Sequence, residues 1–135
     1  MDKEVYFNFS AGLRIHNSSE LHEEITIKTG LIPTSSHKKG DTKQHNPNQK
    51  YTNDIWSIKS QLEENNSLTE HLLSLWGIIK PHKDYFKELI EKNVKMDIFC
   101  GYRSNCDHCG FDINPEGFEI IRELKIPITF SVIIT

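Results

Sequence analysis

Four side chains in one short stretch are of types that do chemistry: Cys100, Cys106, His108 and Cys109. Thiolate and imidazole are ligands that suit zinc, and Cys106 and Cys109 have knuckle-like spacing. A structural site normally closes with four ligands, commonly from two such pairs, and here the second pair is missing. Cys100 alternates with Met96 and Ile98, which places it on the core side of a strand. His108 sits between the two cysteines, a poor position for joint chelation. The expectation is a plain turn with free thiols and no cofactor, with zinc at Cys106, His108 and Cys109 as the alternative. A thioredoxin-type redox pair would need a helix N-terminus to lower the thiol pKa, and this pair falls between strands.

A second group is His37-Lys38-Lys39-Gly40-Asp41, followed by Lys43, His45 and Lys50. Clustered lysines suit an acidic partner, a phosphate or an anionic protein surface. No G-x-x-x-x-G-K-[ST] and no G-x-G-x-x-G is present to cradle a nucleotide. The plain alternative is a loop kept soluble by lysine. Trp56 borders this stretch and is a candidate recognition anchor, whereas Trp76 falls on a helical apolar stripe with Leu72 and Ile79 and belongs to the core.

The remaining polar residues form no complete catalytic array. Seven histidines are scattered, without H-E-x-x-H. Glu23-Glu24 and Glu63-Glu64 are neighbours that a helix would point about 100° apart. Ser57 and Ser131 lie on strands, without a nucleophile elbow.

These residues must be positioned by elements that the periodicity marks out. Val5 to Ala11 alternates as a half-buried strand that Gly12 ends. A short helix follows, with cap oxygens at Asn17, Ser18 and Ser19 and Gly30 at its left-handed end. Residues 33–53 have no apolar periodicity and read as a long mobile surface loop. Asp54 to Ser60 is a second strand. Ser67-Leu68-Thr69-Glu70 is a capping box that opens a helical stretch to Asn93, broken at Pro81. Val94 to Tyr102 alternates again, and Gly110 to Ile113 is expected to pair with it as a hairpin. Asn114-Pro115 opens a further helix. Pro127 to Thr135 is a β-branched final strand, with Ile133 on its second face hinting at a central place in the sheet.

The chain has 135 residues, which suits a single domain over 1–135. Helices with one apolar stripe must cover a sheet face, so the expected fold is α+β: a mixed or antiparallel sheet of four to five strands, with three or four helices mainly on one face. Sixteen basic against 19 acidic residues give a net charge of −3, which argues against nucleic acid as a partner. No apolar run approaches the roughly 20 residues needed to span a bilayer. Met1-Asp2-Lys3-Glu4 does not begin a secretory leader, so a cytoplasmic chain with reduced cysteines is expected.

An ordered set of segments resembles the bacterial domain of unknown function 4279 family over nearly the whole chain. It comprises the opening strand, Ile25-Thr26, Thr29-Gly30-Leu31-Ile32-Pro33-Thr34, Lys38-Lys39-Gly40-Asp41, Trp56-Ser57, Leu68-Thr69-Glu70-His71-Leu72, Ile79-Lys80-Pro81, Gly110-Phe111-Asp112-Ile113-Asn114-Pro115-Glu116 and the last strand. The resemblance implies an α+β fold and assigns no catalytic residue. Some relatives look like immunity or antitoxin proteins of bacterial toxin systems. The chain departs from the pattern at Cys106-Asp107-His108-Cys109, where relatives have a plain polar turn, and at Thr135, where relatives continue a little further. The functional expectation is a non-catalytic binding protein that occludes a toxin, through Lys38, Lys39, Asp41, Lys43 and Trp56. The alternative is an enzyme or small-ligand protein with its site between the 33–53 loop and the sheet.

Overall fold

The computed structural model describes residues 4–135, so the leader reading of Met1 to Lys3 lies outside the described residues. The elements run β1 (Phe7–His16), α1 (His22–Thr29), β2 (Ser35–His37), β3 (Thr42–Lys43), β4 (Asn46–Lys50), β5 (Ile55–Lys59), α2 (Leu68–Ile79), α3 (Lys83–Glu91), β6 (Lys95–Ser104), α4 (Glu119–Leu124) and β7 (Ile128–Ile134). Short 3-10 turns lead into α1, α3 and α4.

Five strands form one sheet in the order β2-β5-β1-β6-β7. β1 pairs antiparallel with both β5 and β6, and β2 with β5. β7 runs parallel to β6, which requires a crossover, and α4 supplies it. The fold is α+β with a mixed sheet, as the residue pattern predicts. β3 and β4 form a separate two-stranded hairpin.

Alternation decides which side of the sheet is covered. Leu13 and Ile15 of β1, Trp56 and Ile58 of β5, and Met96 and Ile98 of β6 point to one face. There they join Ile25 of α1, Leu72 and Ile79 of α2, Phe86 of α3 and Leu124 of α4 in a single apolar core. Burying these side chains, at about 25 cal/mol per Å² of apolar area, is what holds the helices on that face. Trp76 is in the core, as its stripe predicts. The capping box also forms: the Ser67 hydroxyl accepts from Glu70 N–H at 3.1 Å, and the Glu70 carboxylate accepts from Ser67 N–H at 3.3 Å. Pro81, which has no N–H and excludes a carbonyl one turn back, separates α2 from α3 with a 3-10 turn. Gly30 (φ 72°) takes the left-handed position after α1, and Asn93 (φ 68°) takes it after α3.

Several boundaries differ from expectation. Gly12 does not end β1, because neighbours on both sides hold the backbone in the ladder. The strands are close there: a Cβ on residue 12 would stand 3.0 Å from the Ile58 carbonyl oxygen. Gly110 to Ile113 is not a strand. Both edges of β6 are already taken by β1 and β7, so no hairpin partner can join it. Phe111 packs instead, with its ring centroid 5.1 Å from Tyr102 and 5.6 Å from Phe130. β7 is an edge strand rather than a central one, and Ile133 is exposed. The 33–53 stretch is not a structureless loop, since β2 extends the main sheet and β3 and β4 form the hairpin. Among the described residues, no helix is long and apolar enough to cross a membrane.

Candidate functional site

The structure gathers most of the predicted contact residues at one turn. The Asp41 carboxylate accepts from Lys38 N–H at 2.8 Å, and Asp41 N–H donates to the Lys38 carbonyl at 3.0 Å. Lys39 N–H donates to the Asp54 carboxylate at 2.5 Å. Asp41 thus braces its own turn, and the Lys38 and Lys39 side chains are left in solvent. Tyr51 stacks on His37 with centroids 3.5 Å apart, and the Lys43 ammonium lies 5.6 Å from the Tyr51 ring.

Trp56 is not part of this surface. It is fully buried, opposite Ile15 on the helix side of the sheet, with its indole N–H donating to the Thr26 hydroxyl at 3.4 Å. A strand directs alternate side chains to opposite faces, and the position of Trp56 sends the largest apolar side chain of β5 inward.

The expected free thiols are also corrected. Cys106 and Cys109 are joined as a disulfide, so neither sulfur is a thiolate ligand, and His108 lies exposed beside them. Cys100 is a free, buried thiol that burial, with the Asp97 charge adding to it, pushes up to about 12. A thiol so buried is a packing residue rather than a nucleophile.

The chemistry that residue spacing does not reveal lies on the opposite face of the sheet. There the strand registers align residues in rows across the sheet. One row is Ser57, Arg14 and Asp97. The next is Lys59, Gly12, Phe99 and Thr129. Beyond it come Ser10, Gly101 and Ser131, and then Asn8, Arg103 and Ile133.

Asp97 ties the first of these rows to its neighbours. Asp97 accepts from Arg14 Nε at 2.9 Å and Nη2 at 2.5 Å, from the Thr129 hydroxyl at 2.7 Å, and lies 2.9 Å from His16 Nε2. Burial pushes the Asp97 carboxyl up, but the hydrogen bonds from Arg14, His16 and Thr129, with the Arg14 charge, outweigh it and hold the group at about 2. Such a carboxylate is a poor proton acceptor at neutral pH and serves to fix Arg14. The guanidinium lies over Phe99, 4.2 Å from the ring centroid.

The row of small residues forms a trough. Ser10, Gly101 and Ser131 floor an opening of about 370 Å³, with Arg103 on one side and Lys59 and Phe99 on the other. A Cβ on residue 101 would stand 2.7 Å from the Ser10 oxygen, so glycine keeps the floor low. Among the described residues, neither Lys59 nor Arg103 takes part in an ion pair. Lys59 and Arg103 stand over a hydroxyl floor beside an aromatic wall, and Glu64 also lines the opening, so its basic groups exceed its carboxylate by one. The trough brings together residues more than 120 positions apart, from Asn8 to Ile133, which no local motif signals. The available hint is Gly101 within an otherwise bulky alternating strand, since such a glycine often marks a close approach.

The fold is thus a one-sided α+β sandwich whose open sheet face carries the candidate site. The model of the family described as Domain of unknown function (DUF4279) matches residues 6–135, and the chain belongs to that family. No curated protein and no solved structure matches it significantly.

Proposed function

We propose that this protein is a non-catalytic binding protein that covers an acidic surface of a protein partner, in the manner of a bacterial immunity protein occluding a toxin. The observation that carries the reading is the trough on the open sheet face, where Lys59 and Arg103 flank a floor of Ser10, Gly101 and Ser131. A sheet face wired by Arg14 and Asp97 is stiff before contact, which lowers the ordering cost of association. Lys38, Lys39 and Lys43, beyond the β2 edge, supply a second basic contact and speed encounter. The test is co-expression with the product of a neighbouring toxin-like gene. The native chain restores growth and co-purifies with the toxin, whereas the double variant Lys59→Glu, Arg103→Glu folds and does neither. A native chain that neither binds nor rescues removes the proposal.

A second reading, small-ligand binding, draws on the opening between α1 and the turn that follows β2, bordered by His22, His37, Lys38 and Asp41 and by Glu20 and Glu23. His22 Nε2 is buried there without a partner. Titration with small anions, followed through the His22 and His37 ring signals, decides it: unchanged signals discard this reading.

A further inference from the structure

We infer that β7 is a pairing edge for a second copy of this chain, joined antiparallel about a two-fold axis near Ser131. The two edges of the sheet are built differently. β2 ends one side with only Ser35, Ser36 and His37, a short polar strand of the kind that discourages further pairing. β7 ends the other with Ile-Thr-Phe-Ser-Val-Ile-Ile, a strand with no charged side chain, no proline and no glycine. Phe130 is 42% exposed, Val132 55%, Ile133 42% and Ile134 47%, which for an edge strand is an unprotected apolar surface.

Among the described residues, the main chain of this edge is also unpaired. Ile98 N–H donates to the Pro127 carbonyl and Thr135 N–H donates to the Ser104 carbonyl, each at 2.9 Å. In a parallel pair, alternate residues bond to the same neighbour. Residues 127, 129, 131, 133 and 135 therefore face β6, and Ile128, Phe130, Val132 and Ile134 direct their N–H and C=O groups outward.

The side-chain pattern fits a copy of itself. With Ser131 on the axis, Phe130 opposes Val132 and Ile128 opposes Ile134, all on the helix side of the sheet, and these are the residues whose main-chain groups point outward. Thr129 opposes Ile133 on the other side. A two-fold axis sets each charge near its own kind, and this strand carries none. Phe111, 37% exposed and in tilted contact with Phe130, widens the apolar contact beside the join. Two sheets would fuse into one and, because Ser131 and Ile133 line the trough, bring the two troughs side by side at the join; the pairing rests on the β7 edge and not on the acidic-surface reading.

Sedimentation of the native chain over a wide concentration range tests this. The native chain passes from monomer to dimer. Val132→Lys, which sets like charges near the axis, and Val132→Pro, which removes an outward N–H that the fold does not use, each weaken the dimer by about tenfold or more while keeping the native circular dichroism. Hydrogen exchange of the native chain gives a readout free of any folding defect: the Phe130, Val132 and Ile134 amides are protected in concentrated and not in dilute samples. Lys59→Glu with Arg103→Glu leaves the dimer intact. A native chain that sediments as a monomer throughout, a dimer that survives both β7 variants, or concentration-independent exchange at those amides overturns the inference.

Discussion

Arg14 grips Asp97 across the β1–β6 ladder as a two-pronged fork, Nε to one carboxylate oxygen at 2.9 Å and Nη2 to the other at 2.5 Å. Because Asp97 is largely buried, removing it leaves a guanidinium without its partner. Asp97→Ala is expected to cost about 3 kcal/mol, read from the urea midpoint. The same pair predicts an acid limb. The folded carboxyl sits at about 2, below the ordinary 3.8, so its stabilisation is present above pH 3.8 and is lost as the pH falls toward 2. Asp97→Asn flattens that limb, and an unchanged limb would show that other carboxylates set it.

His71 predicts a second, milder dependence. It is buried in α2, with Nδ1 2.6 Å from the Ser60 hydroxyl, and burial holds its imidazole below the ordinary 6.5. As the pH falls through 6.5 the unfolded chain takes up the proton first, so stability declines from that point downward. His22 and His37, lowered for the same cause, add to the slope. His71→Leu is expected to reduce the slope without abolishing it, as measured by denaturant titration at several pH values. A slope equal to the native one would show that His71 titrates alike in both states.

Gly101 separates binding from stability. In Gly101→Ala the new methyl displaces the Ser10 hydroxyl, a small side chain that can rotate, so stability should change by no more than about 1 kcal/mol. The floor of the trough is raised all the same, and partner binding should fall. Binding that survives with native affinity places the contact elsewhere.

Trp56→Ala and Lys38→Ala make a contrasting pair. Truncating a fully buried tryptophan leaves a cavity and should cost about 3–5 kcal/mol. Removing the exposed Lys38 side chain should leave the melting temperature nearly unchanged and lower only the rate of partner association. Equal thermal effects in the two variants would contradict their placement.

The Cys106–Cys109 bridge closes a very short loop outside the apolar core. Its reduction should lower stability by about 2 kcal/mol at most. In denaturant, the oxidised chain should titrate as one thiol, Cys100, and the reduced chain as three. Three thiols without reductant would show that the bridge does not form.

Much of this architecture is local and was therefore legible in the chain. The stripe Leu68, Leu72, Leu75, Trp76 and Ile79 needs only the helical period, and the Ser67–Glu70 capping box only a spacing of three. Pro81 and Gly30 act through their own backbone restrictions. The alternation of β1 and β6 likewise announces strands, and one apolar face predicts that helices cover only one side.

What tertiary structure decided is pairing. Alternation does not say which strand lies beside which, so the chain alone could not place β7 at the edge or deny Gly110 to Ile113 a partner. Nor could it tell that Trp56 points inward, because the inner face of a short strand is defined by its neighbours. The trough follows from the same fact. Lys59, Ser10, Gly101 and Ser131 become adjacent through strand register, and register is fixed by long-range hydrogen bonds and core packing rather than by spacing along the chain.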